Sequence, residues 1–418
     1  MLKKLCQLRD GEIRLVDFAG EHVFGPAPGA DALRTTIHIH DPRVYARLVF
    51  GGSIAAGETF ERGEWTCDDL PALCRIVLRN AHVFDALDGW CSSAARWADR
   101  FAHLFRPNSR GGSRQNITAH YDLGNDFFQE ILDPTLMYSC GLFADDHGDL
   151  EDASLAKLDA VCRKLDLRPG DRVLEIGTGW GGFACHAARH YGSRITTTTI
   201  SPRQYDFARR RIEQEGLSNC VEVLRDDYRN LKGAYDKIVS IEMLEAVGEA
   251  YLDTFLKQCQ KLLRPAGAMF LQFITIADEH FDRYRRSVDY IQQSIFPGGF
   301  LPSLADLQGR IRKATDFRVE RIDELGLHYA MTLRRWRENL FRRATRLMRL
   351  GYSEALVRRF DYYFAYCEAG FLERRTNLVH MVLDRPELER RDGSCPHSKR
   401  FASPLGTSTH SNRSDSLE

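Results

Sequence analysis

Val173-Leu174-Glu175-Ile176-Gly177-Thr178-Gly179-Trp180-Gly181-Gly182-Phe183 decides how the rest of the chain reads: a short apolar run, a glycine-rich turn and the helix-compatible ACHAARHY (184–191) follow without a break. Strand, turn and helix in that order make the opening unit of an α/β sheet. Gly177, Gly179 and Gly182 satisfy G-x-G-x-x-G, so the backbone can approach a nucleotide-like ligand closely in the crevice beyond the strand ends. A dinucleotide is the first ligand such a turn suggests. It requires an acidic residue about 20 positions on, at the end of the second strand, to take the ribose hydroxyl. Here that strand ends Thr197-Thr198-Thr199-Ile200. The acidic residues stand elsewhere: Glu175 ahead of the loop, and Asp226-Asp227-Tyr228 at the end of the third strand, where a carboxylate can accept from an adenine amino group. The pattern keeps a nucleoside-type ligand and disfavours a nicotinamide dinucleotide. A tight turn that holds no ligand is the competing reading.

Outward from this unit, β-rich runs and helical stretches alternate: RITTTTI (194–200), VEVLRD (221–226), YDKIVSI (235–241) and AMFLQFI (268–274). This is the signature of a parallel sheet flanked by helices. FRVERI (317–322) and NLVHMVLD (377–384) bracket a long helical insertion and are expected to close the sheet as an antiparallel pair. Upstream, EIRLVDF (12–18), TTIHIHDP (35–42) and the helical LPALCRIVLRN (70–80) predict a small α+β N-terminal domain, residues 1–105. Its last part sets Trp90, Trp97, Phe101, Leu104 and Phe105 on one helix face. RPNSRGGSRQN (106–116) reads as a linker, 117–386 as the α/β domain, and the polar, Ser-rich 387–418 as a disordered tail.

The chain has 418 residues, 43% of them hydrophobic and 28% charged, a globular composition long enough for two cores. Its 58 basic and 58 acidic residues cancel in sum but are unevenly distributed along the chain, and no nucleic-acid partner is expected. The 11 cysteines include no C-x-x-C pair and no Cys/His cluster at metal-ligand spacing, so reduced thiols and no metal are expected. The opening MLKKLCQLRDGEIRL lacks the apolar core of a signal peptide, and no stretch is apolar enough to span a bilayer.

YDLGNDFFQEILDPTLMYSCGLF (121–143), LEIGTGWGGF (174–183), TISPRQ (199–204), DDYRNL (226–231), SIEMLEAVG (240–248), IFPGGFLPS (295–303) and HYAMTLRRW (328–336) occur in the order of the cyclopropane fatty acid synthase family, which the chain resembles over roughly residues 115–385. DPRVYARLVFGGSIAAGETF (41–60) and CDDLPAL (67–73) are similar to the extra domain of its phospholipid-acting members. The resemblance implies a Rossmann-like methyltransferase sheet with helices on both faces. It implies S-adenosylmethionine surrounded by Tyr138, Ser139, Gly177, Gly179, Thr199, Ile200, Gln204, Asp227 and Tyr228, with Glu175 helping to hold the methionine end. It also implies a bicarbonate ion, serving as base, in a pocket of Cys140, Glu245, Gln272, Ile274 and Tyr329, with Cys140 contributing its backbone. Two positions depart from the family pattern: Thr178 replaces a frequent Cys, and Gln272 a frequent His.

The family reaction moves a methyl from a sulfonium to a cis double bond of an unsaturated phospholipid acyl chain, and proton loss from that methyl closes a cyclopropane. Such a site must hold a transient carbocation, exclude water and place a base by the new methyl. Tyr138, Phe143, Tyr284, Phe296 and Tyr329 are the aromatic candidates for the cation, Tyr329 foremost, and the others read equally as core. Leu333, Trp336, Leu340 and Leu347, ringed by seven arginines between Arg334 and Arg349, predict either a membrane-surface helix or a charged helix packed on the sheet. The expected setting is cytoplasmic, peripheral on the inner face of the membrane, with a homodimer as one option. Rival readings are a fatty-acyl C-methyltransferase giving a methyl-branched or methylene product, a small-molecule N-methyltransferase, and a non-catalytic lipid-binding protein.

Overall fold

Val173, Leu174 and Ile176 are all buried although alternate residues of a strand face opposite ways, which is what a parallel strand covered on both sides requires. In the computed structural model, which describes residues 2–26, 29, 32–83 and 123–387, they belong to the middle of a seven-stranded sheet. The N-terminal part runs α1 (Leu2–Leu5), β1 (Glu12–Asp17), β2 (Gly20–Phe24), β3 (Arg34–Ile39), α2 (Arg43–Glu61), β4 (Trp65–Cys67) and α3 (Leu70–Arg79). Then follow α4 (Asn125–Ile131), α5 (Leu150–Lys164), β5 (Arg172–Ile176), α6 (Gly182–Tyr191), β6 (Arg194–Thr198), α7 (Pro202–Gln214), β7 (Val221–Leu224), β8 (Tyr235–Ile241), α8 (Leu252–Leu262) and β9 (Leu263–Ile276). The chain continues through α9 (Asp278–Tyr284), α10 (Tyr290–Ser294), α11 (Leu304–Ala314), β10 (Arg318–Glu324), α12 (Gly326–Arg349), α13 (Glu354–Leu372) and β11 (Thr376–Asp384). The expected linker at 106–116, the aromatic segment 90–105 and the tail beyond Glu387 lie outside the described residues.

The large sheet has the order β10-β11-β9-β8-β5-β6-β7, with β5 to β9 parallel and β11 antiparallel to both β9 and β10. The closing antiparallel pair is where FRVERI and NLVHMVLD predict it. From β5 the chain first builds outward through β6 and β7, then returns to lay β8 on the other flank. The point of reversal, between β5 and β8, is where such sheets open a ligand crevice at their carboxyl ends. Local signals start the flanking helices: Ser201 caps α7 by accepting from the Gln204 N–H at 3.3 Å, with Pro202 in the first turn.

The N-terminal elements form a second sheet, β2-β1-β3-β4, whose inner face buries Ile13 and Leu15. The insertion between β10 and β11 is the antiparallel pair α12 and α13. Against α13 lie α2 and α3: the rings of Phe60 and Tyr362 are 5.7 Å apart, Arg75 Nε is 2.7 Å from Glu373, and Arg359 Nη2 is 2.6 Å from Glu61. One apolar cluster therefore runs from Leu5 through Phe60 and Trp336 to Leu378.

The 333–350 segment resolves to the packed alternative. Leu333, Trp336, Leu340 and Leu347 are at most 1% exposed, so that face is spent on the protein core and is closed to lipid. Arg334, Arg337 and Arg346 pair with Glu368, Asp361 and Glu130. Besides arginines, α12 shows to solvent Leu327 at its start and, further along, Phe341 and Met348, 51% and 47% exposed.

Candidate active site

β5 ends at Ile176 and the next residues turn sharply: Gly177, Gly179 and Gly181 all have positive φ, a region that costs an L-residue about 1–2 kcal/mol and glycine nothing. A Cβ at Gly182 would lie 2.6 Å from Met137 Sδ and 2.7 Å from Thr135 O, so glycine is required there for close packing. A Cβ at Gly179 would meet nothing within 4 Å, because Gly179 borders a cavity of about 610 Å³. That volume suits a cofactor together with part of a chain-like substrate. A second concavity of about 820 Å³, lined by Glu130, Arg210, Arg211, Arg343 and Arg346, touches neither the glycine loop nor a sheet crevice, so the chemistry is sought in the first.

The cavity brings together Tyr138, Ser139, Gly177, Gly179, Thr199, Ile200, Gln204, Asp227 and Tyr228, and beyond them Glu245, Ile274 and Tyr329. Thr199 Oγ donates to Gln204 Oε1 at 2.9 Å. Ser139 Oγ accepts from Lys157 Nζ at 2.8 Å, and burial pushes that amine down to about 8. The Asp227 carboxylate takes the Arg229 guanidinium at 2.8 and 2.6 Å, which orients it at the cavity edge. Tyr284 and Phe296 line the same space, whereas Phe143 is core.

Three expected residues do not border the cavity. Glu175 pairs with Thr197 across β5 and β6, accepts that hydroxyl at 2.6 Å, and is pushed up to about 8 by burial. Cys140 and Gln272 stand behind the wall, facing a residue the motif reading passed over, Glu242.

Glu242 follows the last residue of β8, and its own N–H donates to the Gln272 carbonyl at 2.7 Å, continuing the β8–β9 pairing that sets Ile241 opposite Gln272. Its backbone is left-handed, φ 48°, a conformation that stores about 1–3 kcal/mol in a residue other than glycine. Three donors converge on the carboxylate. The Cys140 N–H and the Gln272 amide reach Oε1 at 2.9 and 2.7 Å, and the Tyr329 hydroxyl reaches Oε2 at 2.6 Å. Gln272 is fixed in turn by His380, its ring nitrogen 2.9 Å from Gln272 Oε1, because the pairing of β11 with β9 sets His380 directly opposite Gln272. One turn on, Glu245 Oε1 accepts the Ile274 N–H at 2.6 Å, while its Oε2 is buried with no side-chain hydrogen-bond partner among the described residues. Burial and the neighbouring Glu242 charge push Glu245 up to about 8. Burial pushes Glu242 up as well, but three donors from other residues oppose it there, whereas Glu245 has backbone donors alone and the Glu242 charge beside it, so Glu242 is the better placed of the two to carry the negative charge.

This geometry tests the bicarbonate pocket. Its Cys140 N–H, Gln272 amide and Tyr329 hydroxyl are already engaged by Glu242, and a further anion would sit beside a buried carboxylate with those donors spent. A separate bicarbonate does not fit the pocket as these side chains stand. Glu242 was legible in Glu242-Met-Leu-Glu245, two carboxylates just past a strand end, though only the second was singled out; nothing local marks Lys157 as buried.

The sheet order, the closing antiparallel strands and the glycine turn at the point of reversal define a Rossmann-like methyltransferase fold. Residues 108–381 match the family model for mycolic acid cyclopropane synthetase. The chain is 36% identical over 372 residues to the cyclopropane-fatty-acyl-phospholipid synthase of Escherichia coli, covering 89% of this chain and 92% of that one. It is 35% identical over 374 residues, 86% of each chain, to the tuberculostearic acid methyltransferase UfaA1 of Mycobacterium tuberculosis. Among solved structures, the mycolic acid cyclopropane synthase CmaA1 complexed with SAH and CTAB superposes with a TM-score of 0.61 at 31% identity, over 65% of this chain and 98% of that one. The chain belongs to the mycolic acid cyclopropane synthetase family, and it is an enzyme of the S-adenosylmethionine-dependent methyltransferase class.

Proposed function

We propose that the enzyme adds a methylene unit to the cis double bond of unsaturated phospholipid acyl chains, closing a cyclopropane ring. One observation carries this reading: a single cavity borders both the glycine loop and the two buried glutamates, and its lining includes the apolar and aromatic side chains Ile274, Phe296, Leu333 and Tyr363. S-adenosylmethionine supplies the electrophilic methyl when bound. Gly177 and Gly179 would let its backbone-facing side approach, Asp227 would receive a hydroxyl or amino donor of the nucleoside, and Tyr138, Ser139, Thr199, Ile200, Gln204 and Tyr228 would complete its surround. Tyr329, Tyr138 and Phe296 present ring faces or edges that suit a short-lived carbocation in a dry pocket, an attraction of about 2 kcal/mol when desolvated.

The working place proposed is the cytoplasmic face of the membrane, approached from the water side. Among the described residues no helix is long and apolar enough to cross a bilayer. The exposed pair Phe341 and Met348, one heptad apart and next to Arg342 and Arg349, supports surface contact with anionic lipid.

The test is to incubate the protein with S-adenosylmethionine and vesicles of dioleoylphosphatidylglycerol and to analyse the fatty acids by mass spectrometry and ozonolysis. The expected product has gained one methylene and lost its alkene. The 35% identity to a tuberculostearic acid methyltransferase favours a second reading, acyl C-methylation. A product of the same mass that keeps an alkene selects that reading, and no lipid product refutes both.

A further inference from the structure

We propose that the carboxylate of Glu242 is the resident base of this enzyme and stands in place of bicarbonate. The inference rests on the acyl-chain chemistry above and names the atom that takes the proton. It follows from where the donors point. A carboxylate has two oxygens with four lone pairs between them, and the Cys140 N–H, the Gln272 amide and the Tyr329 hydroxyl fill three. Oε2 carries one donor and keeps a lone pair free, at a residue that borders the cavity. Those three donors do for Glu242 what they would do for a bound anion: they oppose the burial that pushes its carboxyl up and so favour its charged form. The Lys157 ammonium, buried on Ser139 behind the same wall, adds a positive field. Glu242 takes its left-handed backbone where its N–H pairs with Gln272 of β9, and a glycine would take that conformation without strain.

The step balances on this group alone. Transfer of the methyl breaks its bond to sulfur, forms a bond to one alkene carbon and leaves S-adenosylhomocysteine and a carbocation at the other carbon. A C–H bond of the new methyl then breaks. Its electron pair closes the ring onto the cationic carbon, and the proton goes to Glu242 Oε2, which becomes a carboxylic acid and returns the proton to solvent after product leaves. The same transfer from a neighbouring carbon would yield the alkene-retaining product, so the base is common to both outcomes.

Turnover on dioleoylphosphatidylglycerol vesicles should be measured in buffer stripped of carbon dioxide and in the same buffer with added bicarbonate, for the wild type, Glu242→Gln and Glu242→Gly, with S-adenosylmethionine affinity from calorimetry for each. The wild type is expected to change by less than about twofold between buffers, Glu242→Gln to lose about 10²- to 10⁴-fold in turnover at unchanged cofactor affinity, and Glu242→Gly to recover about tenfold or more on adding bicarbonate, which then takes the freed donors. A wild type whose rate follows bicarbonate overturns the proposal. So does a Glu242→Gln enzyme of near-normal rate, or a Glu242→Gly protein that binds cofactor yet is not rescued, which would mark the residue as structural. A wild type that makes no lipid product in either buffer sinks the underlying reading of the reaction, and the choice of base with it.

Discussion

Glu245 makes the pH dependence of stability a sharp test of how the two buried carboxylates divide their charge. Its carboxyl is pushed from an ordinary 4.5 up to about 8 by burial and by the neighbouring Glu242 charge, with only backbone donors in compensation. Between these two values the folded protein keeps a proton that the unfolded chain has released. The folded state therefore binds more protons across that window and loses stability as pH rises through it. Each pH unit is worth about 1.4 kcal/mol, so the cost accumulated between pH 5 and pH 7 is about 2.5 kcal/mol. Glutamine at 245 can still accept from the Ile274 N–H and does not titrate. The unfolding free energy of Glu245→Gln, less that of the wild type, should thus climb by about 2.5 kcal/mol from pH 5 to pH 7; at a urea dependence of about 3 kcal/mol/M, the midpoints move apart by about 0.8 M. Urea titrations followed by tryptophan fluorescence at pH 5, 6 and 7 measure it. Curves for the two proteins that run parallel with pH would show that Glu245 is already ionised in the fold, and would remove the charge division between the two glutamates.

Tyr329→Phe removes the hydroxyl that donates to Glu242 Oε2 at 2.6 Å, a charged hydrogen bond worth about 1.5–3 kcal/mol; turnover should fall about 10- to 100-fold and the acid limb of the pH–rate profile should move up by about 1–2 units. An unmoved limb would dissociate Tyr329 from the titrating group. Gly179→Ala places a methyl in the cavity at a residue of positive φ, so cofactor affinity by calorimetry should weaken about tenfold or more while the melting temperature drops only by a few degrees. Replacing Phe341 and Met348 together by Glu should abolish flotation with anionic vesicles and leave melting unchanged, since both side chains are about half exposed. Undiminished flotation would move the lipid-contact surface elsewhere.

The reach of local pattern can be seen in the strands. RVLEI, RITTTTI, VEVLRD, YDKIVSI and AMFLQFI lie where the sheet has β5, β6, β7, β8 and β9, because short runs rich in β-branched and apolar residues suit strands and the turn residues between them interrupt the pattern visibly. The glycine loop was equally legible, since positive φ and close approach leave no alternative to glycine. The amphipathic helix was not decided locally. Leu333, Trp336, Leu340 and Leu347 spell an apolar stripe whether the stripe meets lipid or protein, and the choice came from α13 and α4, which supply the surface that buries it.

The sequence by itself determined the α/β class and the nucleoside-type crevice at the end of β5, because both follow from periodicity and residue type over a few neighbouring positions. Only the tertiary structure decided that Glu242 is the point on which the site converges. Its donors come from Gln272, Tyr329 and Cys140, 30, 87 and 102 residues away along the chain. No local rule links such positions. They meet because β8 and β9 run side by side, α12 folds back across their ends, and a buried charge is stable only where distant groups are brought to it.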